Sequence, residues 1–136
     1  MPGYSGTPLP KKLGIKPGFR VAFSDLPANV HAELKDALSK CSVAKVGSGP
    51  LDFAMIFVRS LAELEKRFPS FARKLAPTGI LWVSWPKKSS GVKTNVDDNV
   101  VRDFGLAQGL VDVKVCAVSE IWSGLKFVIR VKDREN

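Results

Sequence analysis

The stretch "FAMIFV" at residues 53–58 puts apolar side chains on both alternating faces of any strand it forms. A strand with one wet face would show polar residues at every second position, so both faces here must be covered, as they are in a sheet with helices packed on either side. Two further runs share this character, "FRVAFS" at 19–24 and "GILWVSW" at 79–85. Helical spacing separates them. Pro27 suits a first helical turn, and Val30, Leu34, Ala37, Leu38 and Cys41 follow at the helical period. Ser60-Leu61-Ala62-Glu63 is a capping box, and Leu61, Leu64, Phe68, Ala72 and Leu75 continue one apolar face, with Pro69 predicting a kink or a restart because it lacks an N–H. Asp97 is placed to cap a third helix running to about Gln108, closed by Gly109.

The chain ends on "VDVKVCAVS" at 111–119 and "LKFVIRV" at 125–131, joined by "EIWSG" at 120–124, which predicts an antiparallel hairpin. Alternating strands and helices of this kind specify an α/β domain with a mostly parallel sheet, with 19–24, 53–58 and 79–85 adjacent at its centre and 125–131 antiparallel to them. One joint is uncomfortable. After "SVAKV" at 42–46, closed by Gly47-Ser48-Gly49-Pro50, about six residues lead to Phe53, a span of at most about 20 Å with no crossover helix. Either an extended loop crosses back along the sheet, or the 42–46 strand pairs differently.

At 136 residues the chain suits one domain, with 1–18, rich in Gly, Pro and Ser at its start, as an arm packing on a single domain at 19–136. A turn of helix is expected at 11–13. No apolar run reaches the roughly 18 residues of a membrane span, and "MPGYSGTPLPKK" has no hydrophobic leader, so a cytoplasmic location is expected. Cys41 and Cys116 form no C-x-x-C pattern and His31 is the only histidine, which disfavours a metal centre; both cysteines read as small buried apolar groups in a reducing compartment. The net charge of +8 attracts nucleic acid or anionic metabolites, or merely keeps the protein soluble. The Lys and Arg residues are scattered, with doublets at Lys11-Lys12, Lys66-Arg67, Arg73-Lys74 and Lys87-Lys88 and no aromatic-interleaved stripe. Nucleic acid is therefore an open but not a favoured partner.

The stretches "GYSGTPLPKKLGIKPG", "WPKKSSGV" and "GLVDVKVCAVSEIWSGLKFV" resemble a bacterial family catalogued as a domain of unknown function, which implies no reaction. The helix after 79–85 and the closing hairpin resemble the C-terminal half of class I S-adenosylmethionine-dependent methyltransferases, with one strand–helix unit missing from the middle. That likeness implies a Rossmann-like sheet in which the last strand inserts beside 79–85. It also implies a Gly-rich turn after the first strand and an acid after the second, to hold the cofactor's backbone-contacting and ribose groups. Here the first strand leads into "SDLPANV", without glycine, and the second into "GSGPL", without an acid. Gly47-x-Gly49 alone is an ordinary turn signal. No cofactor is expected, and the protein is not expected to bind S-adenosylmethionine as methyltransferases do.

In such sheets ligands sit beyond the carboxyl ends of the parallel strands. That rim would carry Asp25, Arg59, Ser60, Lys87 and Lys88, with Glu120 and Trp122 in the hairpin turn. Arg59 beside the helix start at Ser60 suits an anion, as do Lys87 and Lys88; Trp122 offers a flat apolar wall and Glu120 an acceptor or base. Each has a plainer reading: the lysines as a solvated loop end, Arg59 paired with a nearby carboxylate, Glu120 and Trp122 as turn and core-lid residues, Asp25 as a helix cap. No catalytic set is legible. Three function classes stay open: a non-catalytic ligand-binding or interaction module, a reduced transferase taking a nucleotide-like ligand at the rim, and a nucleic-acid-associated basic protein. An anionic small molecule is the expected partner, and oligomeric state is unread.

Overall fold

The computed structural model describes residues 7–44 and 49–134. The elements run α1 (Leu9–Leu13), β1 (Arg20–Ser24), α2 (Ala28–Leu38), β2 (Ser42–Val43), β3 (Leu51–Phe57), α3 (Leu61–Ala72), β4 (Leu75–Pro86), α4 (Asp98–Ala107), β5 (Leu110–Ala117) and β6 (Trp122–Ile129). They build one six-stranded sheet in the order β2-β1-β3-β4-β6-β5. The first four strands are mutually parallel, β6 is antiparallel to β4, and β5 is antiparallel to β6. This is the expected α/β, Rossmann-like architecture, with the last strand inserted beside β4.

The two-faced apolarity of β3 is explained by what covers it. Phe53, Met55 and Phe57 pack with Val21 and Trp82 beneath Leu9 and Leu13 of α1 and Val30 and Leu34 of α2. Ala54 and Ile56 point the other way and join Leu81, Val83, Leu125 and Phe127 beneath Leu64 and Phe68 of α3 and Val101 of α4. Helix α1 is anchored to the sheet by Trp82, whose Nε1 donates to Leu13 O at 2.8 Å. Helix α4 comes close to the sheet at Gly105, where an added Cβ would lie 2.8 Å from Phe127 Cδ1 and nearer still to Cε1 and Cζ. No described helix is long and apolar enough to cross a membrane.

Several local expectations are refined. The uncomfortable joint resolves because β2 is only two residues long and pairs in parallel with Arg20 and Val21, at the entry end of β1. Val21 is level with Phe53 of β3, so the chain returns to the start of β3 without running the length of the sheet. Residues 45–46 of the expected strand, with Gly47 and Ser48, lie outside the described residues, as does 1–6 of the arm. Helix α3 does not restart at Pro69 but continues to Ala72. The hairpin turn is earlier than 120–124: Ser119 Oγ accepts from the N–H groups of Ile121 and Trp122 at 3.2 and 3.1 Å, and Trp122 already belongs to β6, opposite Pro86. Cys41 and Cys116 are half-buried free thiols, not fully buried ones, and burial pushes the Cys116 thiol up while Lys12 and Lys114 pull it down.

Candidate functional site

The carboxyl ends of β1, β3 and β4 place Asp25, Arg59 and Lys87 along one rim, and the hairpin turn joins it where the Lys87 N–H donates to Ile121 O at 2.8 Å. Strand β1 leads to a helix on one face and β3 to a helix on the other, so the crevice between their ends is the point where this architecture usually receives a ligand. A side chain spans it. Arg67, from the second turn of α3, ion-pairs through Nη1 with Asp25 Oδ2 and donates to Phe57 O at 3.3 Å. Asp25 stands in the left-handed region at φ 58°, a conformation most residues other than glycine avoid. The cap of α2 falls instead at Pro27, with no side-chain hydrogen bond, so Asp25 is a partner for Arg67 and not the cap of that helix.

A cleft of about 690 Å³ lies beside this crevice, between the start of α3 and the chain that follows β4. Arg59, Ser60, Lys88, Val92, Lys93, Thr94 and Asn95 line it. Its walls are tied together. Thr94 Oγ1 donates to Arg59 O at 2.7 Å and the Leu61 N–H donates to Asn95 Oδ1 at 2.9 Å. Ser60 Oγ accepts from the Glu63 N–H at 3.2 Å as a capping box requires, but the Glu63 carboxylate reaches one residue further back than expected, accepting from the Arg59 N–H at 2.6 Å. Three cationic side chains, Arg59, Lys88 and Lys93, thus line a cleft at the capped start of α3.

The structure brings together Arg59, Ser60 and Lys88 among the residues singled out from sequence. Lys87 is held at the edge of the hairpin by its backbone and does not line the cleft. Trp122 is 3% exposed, so it is no open wall; its ring meets Phe57 edge-on and carries the Arg59 guanidinium 5.1 Å above its centroid. Arg59 is therefore held by an aromatic face, and among the described residues no carboxylate pairs with it. Glu120 is exposed in the turn, and Asp25 sits at the crevice with Arg67. Sequence reasoning missed Lys93, Thr94, Asn95 and Arg67. The first three follow Gly91 in a segment without periodicity, and Arg67 is one polar position on a helix, whose reach over the rim depends on how α3 lies. Among the described residues no three His, Cys, Asp or Glu side chains stand together to hold a metal ion.

No protein-family model and no curated protein matches the chain. Solved structures do resemble it. A precorrin-6y C5,15-methyltransferase from Geobacter metallireducens aligns at a TM-score of 0.56 and 10% identity, over 89% of this chain and 85% of that one. The magnesium protoporphyrin IX methyltransferase from Synechocystis, solved with bound SAH, gives 0.56 and 10%, over 88% and 78%. A glycopeptide N-methyltransferase complexed with sinefungin gives 0.54 and 10%, over 88% and 90%. At such identities the likeness concerns the fold alone. The chain has the Rossmann-like fold of class I S-adenosylmethionine-dependent methyltransferases.

Proposed function

We propose that this is a non-catalytic cytoplasmic binding module on a methyltransferase-like scaffold, taking a small anionic ligand in the cleft between the start of α3 and residues 88–95. The observation that carries the reading is the convergence of Arg59, Lys88 and Lys93 on a cleft at a helix start. A phosphate or carboxylate there would make charge-assisted hydrogen bonds to these side chains. The lining contains no carboxylate, histidine or cysteine to move a proton, and of its two hydroxyls Ser60 caps α3 and Thr94 ties the walls together. That supports binding without turnover. The crevice between β1 and β3 is spanned by the partly exposed Arg67–Asp25 pair, which a nucleoside cofactor in the usual place would have to displace. The resemblance to a bacterial family of unknown function is matched by no family model and adds no reaction to this reading.

The test is a thermal-shift screen with pyrophosphate, ATP and citrate on the parent and on Lys88→Gln/Lys93→Gln. A ligand at 100 times its dissociation constant stabilises by about 2.7 kcal/mol, a shift easily seen. Stabilisation of the parent that disappears in the double variant is expected. A parent indifferent to all three anions, or a variant that responds equally, would overturn the site.

A further inference from the structure

On the face that carries α1 and α2, the sheet's last two strands lie beyond the helices. Cross-strand register arranges that face in rows: Ile80, Val128 and Val111, then Trp82, Lys126 and Lys114, then Ser84, Gly124 and Cys116. The middle row sets two lysines directly opposite each other on neighbouring strands. Such like-charge pairs destabilise a sheet, so a sequence selected only for folding would avoid one.

Further cations close on the same row from α1 and the turn after it. Lys114 Nζ donates to Lys12 O at 3.2 Å, and Lys12 Nζ donates to Ala117 O at 3.0 Å, so the end of α1 is stitched across β5 by lysines. A Cβ placed on Gly14 would lie 4.0 Å from Lys126 Nζ. Burial first, and then the charges of Lys114 and Lys16, hold the Lys126 ammonium below the usual lysine range. Among the described residues no carboxylate pairs with Lys16, Lys114 or Lys126; the acids that form ion pairs, Asp25, Glu63 and Asp112, serve arginines elsewhere.

We propose that this lysine row binds the phosphate backbone of nucleic acid, by charge and without reading sequence. A single monovalent anion could neutralise one ammonium of the three. A polymer carrying one charge per roughly 1.7 Å of duplex offers several phosphates to the row at once and releases condensed counterions as it does so. Lys114 and Lys126 stand on paired strands and Lys16 in the turn after α1, so the backbones that carry them are fixed before binding. The chain's net charge of +8 acts in the same direction over longer range. The row is on a sheet face and separate from the rim cleft, so either site stands or falls without the other.

The experiment measures binding of a fluorescent DNA duplex by anisotropy between 50 and 200 mM salt. Lys114→Gln/Lys126→Gln is compared with Lys88→Gln/Lys93→Gln, which removes the same charge from the rim. The row variant is expected to lose about tenfold or more in affinity at low salt, with a log–log salt slope shallower by about 2, while the rim variant stays within about twofold of the parent. Because Lys114 also holds α1, Lys16→Gln/Lys126→Gln, which leaves every hydrogen bond described above in place, must show a loss in the same direction. Lys126→Gln alone should raise the melting temperature of the free protein, where a purely structural lysine would lower it. Equal losses in the row and rim variants, no binding by the parent at 50 mM salt, or tighter binding to polyglutamate than to DNA would each overturn the proposal.

Discussion

Replacing Arg67 with Met keeps an apolar stem over the end of β3 and removes the charge that spans the crevice. The ion pair with Asp25 is partly solvated, with side-chain exposures of 27% for Arg67 and 48% for Asp25, and a pair of that kind contributes about 0.5–1 kcal/mol. The bond from Nη1 to Phe57 O, at 3.3 Å, involves a charged donor and adds about 1–1.5 kcal/mol. Arg67→Met should therefore destabilise by about 1.5–2.5 kcal/mol, read as a lower urea midpoint at unchanged slope. Asp25→Gly separates the two contributions. It loses the ion pair but relieves a left-handed conformation, φ 58°, that costs a non-glycine residue about 1 kcal/mol, so its net effect should be close to zero. In the double variant Arg67→Met should cost less by the value of the pair alone. If Arg67→Met costs under about 0.5 kcal/mol, or if Asp25→Gly costs more than it, Arg67 is not the strap that closes this crevice.

Isothermal titration should find no S-adenosylmethionine binding tighter than about 10 μM, because β1 runs into Asp25 without a glycine turn; a low-micromolar constant would contradict the reading of the crevice. Gly105→Ala should destabilise by about 2 kcal/mol or more although alanine is the better helix former, since its methyl would enter the Phe127 ring, and Phe127→Leu should restore part of the loss in urea melts of the double variant. The lowered Lys126 pKa means the unfolded chain binds more protons between the folded and unfolded values, so this residue's penalty is full at neutral pH and fades as pH climbs toward about 10.4. Lys126→Met should accordingly gain stability over the parent at pH 7, with the gap narrowing in urea titrations as pH approaches the unfolded lysine value; a gap that widens with pH would reverse the sign.

Legibility in the sequence followed the range of the interactions concerned. The central strands were readable because apolarity on both faces of "FAMIFV" has one structural solution, burial between helix layers, whatever the rest of the chain does. Asp97 and Ser60 were readable because capping is settled within three or four residues. The placement of β2 was not, because a two-residue strand contains too little pattern to choose a partner. The start of β6 at Trp122 was not legible for a related reason: Ser119 closes the turn by its own hydroxyl, and nothing local says that the strand resumes before the glycine.

The sequence by itself determined the class of sheet, the order of its elements and the rim that would carry Arg59, Ser60 and Lys88, since hydrophobic period and caps are local properties of the chain. Only the tertiary structure decided that Lys93, Thr94 and Asn95 complete that cleft, that Arg67 reaches over β3 to Asp25, and that Lys114 and Lys126 face each other with Lys16 nearby. Those are contacts between residues far apart in the chain. They exist because strand register and the lie of each helix set where a side chain ends, and neither quantity is written in any short run of residues.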